Sequence, residues 1–133
     1  MSDIPHDAGF VEVGDRCWVA RFDFLDVSVG LVGGERGLLV VDTLASDAAG
    51  RRLVDEVRRL GAGDVVGIVN THVHYDHVFG NRAVSEAYGG PPVVAHEAAA
   101  EELDAHAAAV RDEAAGAEDE RYAEVAATTD VLG

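Results

Sequence analysis

Three of the chain's six histidines stand within six residues, in the stretch HVHYDH at residues 72–77. The apolar run DVVGIVN comes directly before them and is typical of a short buried strand. Neutral imidazole is a common nitrogen ligand for zinc and similar metals. If the backbone is still extended there, His72 and His74 leave it on the same side and can clasp one ion. Asp76 continues that side and His77 follows as the chain turns, so the spacing suggests two ligand pairs, His72 with His74 and Asp76 with His77.

The alternative interpretation is a chance cluster of surface histidines. The position of the cluster argues against this, because α/β sheets hold their functional sites at the carboxyl ends of their strands. Two adjacent ions sharing a hydroxide would suit the two pairs, since water bound to such ions ionises near neutral pH. The pattern therefore predicts metal binding.

The elements around the cluster indicate a mixed α/β layer architecture. Residues 1–8 read as a polar arm, and residues 9–42 as a β-meander with a hairpin turn at GGERG. The meander ends in an apolar run that we expect to be a buried central strand, closed by Asp42. Alternating helices and strands follow, with a third buried strand in VVAH. Two helical pieces complete the chain, one from Glu97 to about residue 115 and one over residues 118–127.

At THVHYDH, residues 71–77, the chain resembles the metallo-β-lactamase superfamily, whose signature is His-x-His-x-Asp-His after a strand. The resemblance runs from about Phe10 to about Ala100 and includes the strand GLLVVDT and the helix start DHVFGN. It implies an αββα sandwich built of two similar halves, of which this chain would be the N-terminal half. The domain would then run from residue 9 to residue 133.

The resemblance also implies roles for individual residues. His72 and His74 would belong to a first metal site, and Asp76 and His77 to a second, with Asp76 also acting in catalysis by orienting a bridging hydroxide. Asp42 would lie behind the ligands and order their hydrogen bonds. The implied cofactor is one or two zinc ions, with iron and manganese as alternatives.

The remaining ligands of such a site come from the second half of the fold. After His77 the chain has only two histidines. We expect His96 to be a structural or rim residue and His106 to face solvent on its helix. His6 lies in the polar arm. Half a sandwich would also expose an apolar sheet face. Three outcomes are open: pairing with a second copy, pairing with a separate second-half chain, or a truncated remnant.

The leading functional hypothesis is a hydrolase in which metal-bound hydroxide attacks an ester, thioester, amide or phosphoester centre. The alternatives are a non-catalytic metal-binding half-domain and, within the same family, oxidation at a single iron. Phe79 stands where many relatives have glycine and is expected to narrow the site. Tyr75 is expected either to donate a hydrogen bond there or to pack.

Charge and composition limit the partners. Twenty-five acidic and ten basic residues give a formal net charge of -15, which disfavours nucleic acid and membrane surfaces and leaves a small-molecule substrate. The single cysteine, Cys17, allows no internal disulfide and is expected to be buried and inert. The first residues lack the features of a signal peptide, so the expected location is the cytoplasm.

Overall fold

The structure is a computed structural model and describes residues 4–128 and 131–132. Within these residues, six strands form one mixed sheet in sequence order, and five α-helices pack around it. The strands are β1 Val11–Gly14, β2 Cys17–Phe22, β3 Val27–Gly33, β4 Leu38–Val41, β5 Val65–Val69 and β6 Val93–Val94. The helices are α1 Asp47–Leu60, α2 Tyr75–Val78, α3 Asn81–Ala87, α4 Glu97–Ala115 and α5 Glu120–Ala127, with a short 3-10 helix at Phe24–Asp26.

The sheet changes direction at β4. Strands β1 to β4 form the antiparallel meander, and β4, β5 and β6 run parallel. Parallel neighbours need a crossover, and helices supply both crossovers here. The carboxyl ends of β4, β5 and β6 therefore lie at one edge of the sheet.

Helix α1 covers one face of the sheet. The Ser46 hydroxyl caps its start by accepting a hydrogen bond from the Ala49 N–H at 2.9 Å, and Gly61 ends it in the left-handed conformation. Its apolar side buries Leu53 and Val57 completely or almost so. These pack in one core with alternate residues of β3 and β4, namely Val27, Val29, Leu31, Leu38 and Val40, and with Val65 and Ile68 of β5. This alternation is what a sheet packed on one side produces.

The opposite face of the sheet is apolar and exposed, as the half-sandwich interpretation predicted. Val32 is 43% exposed, Leu39 41% and Val94 57%. Two predictions about buried strands were therefore wrong. The β4 run buries Leu38 and Val40 but exposes Leu39 between them, because only one face is covered. Strand β6 has two residues at the sheet edge and is not a buried strand.

A tight contact joins α1 to the corner between α2 and α3. A Cβ at Gly80 would collide with the carbonyl oxygen of Thr43, and a Cβ at Gly50 would lie 2.9 Å from the carbonyl oxygen of Gly80. Glycine at both positions lets the backbones approach closely. This contact fixes the segment that follows the histidine cluster against the end of β4.

Helices α4 and α5 pack together in a second, smaller core with α2. Helix α4 follows the predicted bounds closely. The Thr128 hydroxyl accepts from the Asp47 N–H at 2.9 Å, and the Leu132 carbonyl accepts from the Asn81 side chain at 2.7 Å. Thr128 is thereby bonded to the first residue of α1, and Leu132 to the first residue of α3.

Part of the predicted N-terminal arm lies against β2. Ile4 is buried, and its carbonyl accepts from the Arg21 guanidinium at 3.0 Å. His6 contacts Asp26 at 2.8 Å and Arg21 at 2.9 Å. The domain boundary at residue 9 stays a prediction. Among the described residues, none of the helices combines the length and apolar character needed to cross a bilayer.

Candidate metal centre

The histidine cluster lies where β4 and β5 end side by side. Asp42 follows β4, and Asn70 to His74 follow β5 before α2 begins at Tyr75. Because the two strands are parallel, their carboxyl ends meet at the same edge. The fold thus brings Asp42 to residues almost thirty positions further along the chain.

The Asp42 carboxylate binds three hydrogen-bond donors. It accepts from the Thr71 N–H at 2.8 Å, from the Thr71 hydroxyl at 2.7 Å and from His77 Nδ1 at 2.7 Å. Asp42 is buried, and its φ of 69° lies in the left-handed region that few non-glycine residues adopt. A buried carboxylate in a strained backbone position indicates that these contacts hold it there.

These bonds fix which nitrogen of each histidine carries the proton. His77 donates from Nδ1 to Asp42, so the neutral ring carries its lone pair on Nε2. The Thr71 hydroxyl gives its only proton to Asp42 and therefore accepts from His72 Nδ1, at 2.8 Å. His72 also has its lone pair on Nε2. One carboxylate, directly and through Thr71, thus sets both rings in the form that binds a metal through Nε2.

The two rings converge. Their centroids are 4.2 Å apart, and Asp42, His72 and His77 can each offer a ligand atom within 4.8 Å of the other two. All three donors to Asp42 compete with a metal for its oxygens, which favours the outer role for this carboxylate. Two convergent imidazoles with free Nε2 lone pairs suit zinc or a similar ion.

The side chains of two buried asparagines hold the histidine loop in place. The Asn70 and Asn81 side chains exchange hydrogen bonds at 3.0 and 2.7 Å, and the Thr43 hydroxyl donates to Asn81 at 2.7 Å. Thr43 also donates its N–H to the His77 carbonyl at 2.9 Å. Asn81 is fully buried, so every partner it has is fixed. The network ties β4, β5 and α3 together immediately behind His77. No motif in the sequence indicated this network.

His74 and Asp76, the other two predicted ligands, lie beside this pair of rings. The His74 ring is exposed and its centroid is 4.8 Å from that of His72. Asp76 Oδ2 is 3.4 Å from His77 Nε2. The backbone bends after β5 instead of staying extended, but the His72 and His74 rings still lie next to each other. Their ligand roles, and those of His72 and His77, stay predictions.

His106 was expected to face solvent, and this was wrong. Its Nε2 accepts a hydrogen bond from the Tyr75 N–H at 3.0 Å, and its ring stacks on His74 with centroids 5.8 Å apart. Burial is the main cause that lowers the pKa of His106, and the nearby His74 adds to it. The signal was in the sequence, because Leu103 and Val110 mark the inner face of α4 and residue 106 lies between them on that face.

Two further predictions near the motif are resolved. Phe79 does not narrow the site, since its ring is fully buried in the second core. Tyr75 packs, with its ring 5.9 Å from that of Phe79. Burial first, and then a hydrogen bond with Tyr122, raise the pKa of Tyr75. His96 was predicted to be a structural or rim residue, and its structural role is confirmed. It caps α4 through Nδ1, which accepts from the Ala98 N–H at 3.0 Å.

Comparison with known proteins agrees with this geometry. The family profile described as the metallo-beta-lactamase superfamily matches residues 22–130. None of the curated proteins compared with the chain matches it. Many solved structures do.

Three of those structures illustrate the range. A B3 metallo-β-lactamase with an active-site glutamic acid is 30% identical, with a TM-score of 0.65, over 74% of this chain and 36% of that one. A subclass B3 metallo-β-lactamase of Bradyrhizobium japonicum is 24% identical, with a TM-score of 0.64 and the same two shares. A sec-alkyl sulfatase is 26% identical, with a TM-score of 0.62, over 78% of this chain and 18% of that one.

The chain spans only about a third of the length of the two lactamases and less of the sulfatase. The described part of the chain is one sheet with helices packed on it, which corresponds to the αβ half of the predicted αββα sandwich. The fold class predicted from the sequence is thereby confirmed. The profile match covers most of the chain, and on that basis this protein belongs to the metallo-β-lactamase superfamily.

Proposed function

We propose that this chain carries the N-terminal metal-binding half of a metal-dependent hydrolase. The observation that carries the proposal is the arrangement of Asp42 and Thr71, which fixes both His72 and His77 with Nε2 as the lone-pair nitrogen. A chance cluster of surface histidines would have no buried carboxylate behind it that sets the form of two rings.

Each residue of the motif then has a role. His72 and His77 hold the metal through Nε2, and His74 and Asp76 complete the set by small rotations of side chains that are already adjacent. Asp42 and Thr71 keep the rings oriented, and the Asn70–Asn81 pair keeps the loop in place. When bound, zinc supplies a water of near-neutral pKa and polarises the oxygen of the substrate.

The reaction class follows from the chemistry of such a centre. Hydrolysis at an ester, thioester, amide or phosphoester carbonyl or phosphoryl group fits it, and Asp76, whose Oδ2 is 3.4 Å from His77 Nε2, would orient the attacking water. The similar proteins include β-lactamases and an alkyl sulfatase, which act on different bonds. Zinc is the proposed metal, with iron or manganese as alternatives that suit the same ligand types.

The exposed face of the sheet is where the rest of the site would come from. Val32, Leu39 and Val94 form part of an apolar surface larger than single exposed side chains. We propose that a second sheet covers this face and brings the remaining ligands, either from a second copy of the chain or from a second-half polypeptide. The net charge of -15 disfavours nucleic acid as the partner.

Turnover and solution mass, measured on the same sample, test the proposal. We expect zinc-loaded chain at a dimer mass to hydrolyse p-nitrophenyl acetate, and a chelator to abolish the activity. His72→Ala should abolish it as well, whereas His96→Ala, an exposed capping histidine, should not. Zinc binding without turnover in any assembled state would favour the non-catalytic metal-binding domain. Turnover that survives both the chelator and His72→Ala would contradict the proposal.

A further inference from the structure

A small cavity of about 350 Å³ lies between the loop after β5, strand β6 and helix α4. Its walls are mainly aliphatic, with Val73, Val93, Ala99 and Leu103 among them. Among the described residues that line it, His72 is the one with an ionisable side chain. This is notable in a chain with 25 acidic residues. The volume lies at the lower end of the range found for small-molecule sites.

A larger cavity has the opposite character. It measures about 620 Å³, lies between β2 and α1, and is lined by six carboxylates and three arginines as well as apolar side chains. Salt bridges within it, such as Arg52 with Glu124 at 2.8 Å, already occupy charged groups. The contrast indicates that the smaller cavity selects an uncharged occupant, because burying an unpaired charge there would be costly.

The small cavity opens directly onto the candidate metal centre. His72 belongs both to the group that can hold an ion and to the wall of the cavity. A molecule whose reacting group lies at that centre can therefore extend its substituent past His72 into the cavity. The alanines of α4 keep the space open, since Ala99 and Ala100 line it where larger side chains would fill it.

We propose that this cavity binds a short, uncharged aliphatic chain, the acyl or alkyl substituent of the molecule on which the metal centre acts. The proposal rests on the proposed function and names the substrate class, a carboxylic or related ester with an aliphatic tail. Each methylene group buried should tighten binding about fourfold until the cavity is full.

Alkyl hydroxamates of increasing length test this on the zinc-loaded full chain. Acetohydroxamate, butyrohydroxamate and hexanohydroxamate share one metal-binding head, so their affinities isolate the contribution of the tail. We expect the dissociation constant, measured by calorimetry, to fall by about fourfold per methylene. Ala99→Leu should remove this gain and leave acetohydroxamate unaffected. Ala105→Leu is the matched control, because Ala105 is exposed on the same helix and outside the cavity.

The outcomes separate this inference from the proposed function. Zinc-dependent binding with equal affinity for all three tails would overturn the subsite and leave the metal centre intact. If the chain binds no zinc, hexanamide titrated onto the metal-free protein decides the question by NMR. Shifts at Val93, Ala99 and Leu103 that Ala99→Leu abolishes would support the cavity, and their absence would overturn it. If Ala99→Leu does not fold, Ala100→Leu replaces it.

Discussion

Replacing Asp42 by asparagine should damage metal binding far more than folding. The two side chains have nearly the same shape, but the amide offers one acceptor oxygen and one donor nitrogen where the carboxylate offers two acceptors. The amide oxygen of the variant can still accept from the Thr71 N–H, which lies 2.8 Å from Asp42 Oδ1 in the parent chain. The amide nitrogen then takes the place of Oδ2, which lies 2.7 Å from His77 Nδ1. His77 must accept there instead of donating.

This inversion places the proton of His77 on Nε2, the nitrogen that should bind the metal. The Thr71 hydroxyl also loses its acceptor and no longer has to accept from His72. Both rings lose the orientation that Asp42 imposes. Changes to such supporting groups typically weaken metal binding by about 10- to 100-fold, and we expect the upper end here because one carboxylate serves two rings.

Stability should fall less. Asp42→Asn exchanges charge-assisted hydrogen bonds for neutral ones, and we expect a loss of about 1–2 kcal/mol in the free energy of unfolding. Asp42→Ala leaves two Thr71 donors and the His77 donor without their acceptor and should cost about 2–4 kcal/mol. For each variant, the loss of zinc affinity has to be compared with the loss of stability. A residue with only a structural role would lower both together.

Competition with a chromogenic chelator gives the zinc affinity, and long-range ¹⁵N NMR gives the protonated nitrogen of each ring. Asp104→Asn is the matched control, because Asp104 is an exposed carboxylate on α4. The reasoning is refuted if Asp42→Asn binds zinc within about threefold of the parent chain, or if His77 keeps its proton on Nδ1.

Three further predictions concern the surroundings of the site. Gly80→Ala should lower the free energy of unfolding by about 2–4 kcal/mol in chemical denaturation, because the new methyl group would collide with the Thr43 carbonyl. Gly14→Ala is the control and should change little, since the nearest atom would be 3.7 Å from its methyl group. Equal losses in the two variants would contradict the close contact at Gly80. His106→Ala should lower the free energy of unfolding by about 1 kcal/mol, because it removes the acceptor of the Tyr75 N–H. An unchanged free energy of unfolding in the same assay would mean that His106 does not support the site. Burial raises the pKa of Tyr75, so its contribution to stability is present below the ordinary value of 10.0 and is lost as the pH rises above it. Tyr75→Phe should therefore flatten the alkaline loss of stability, and an unchanged pH profile would refute this.

The local elements could be predicted because local chemistry determines them. Ser46 before an apolar periodic run and Gly61 after it mark the ends of α1, and the glycines between β3 and β4 mark a hairpin. The structure has both. The histidine spacing alone indicated a metal centre, and the Asp42 position followed from the resemblance.

What the sequence did not reveal depends on contacts between distant segments. Whether Leu39 is buried depends on what covers the sheet, and an unbroken apolar run carries no information about that. The Asn70–Asn81 pair joins a strand to a helix through side chains that read separately as polar residues near turns. His106 was assigned to solvent because the apolar periodicity of α4 is weak, although residues 103 and 110 already placed it inward.

We infer that the loop at residues 72–77 is a metal centre and that hydrogen bonds to Asp42, directly or through Thr71, orient its imidazole rings. The zinc content of the full chain after exhaustive dialysis tests it most directly, in the parent, in a His72→Ala and His77→Ala double variant, and in a His6→Ala and His96→Ala control. We expect one or two equivalents in the parent and the control and none in the first double variant. Equal zinc in all three, or none in the parent, would contradict it.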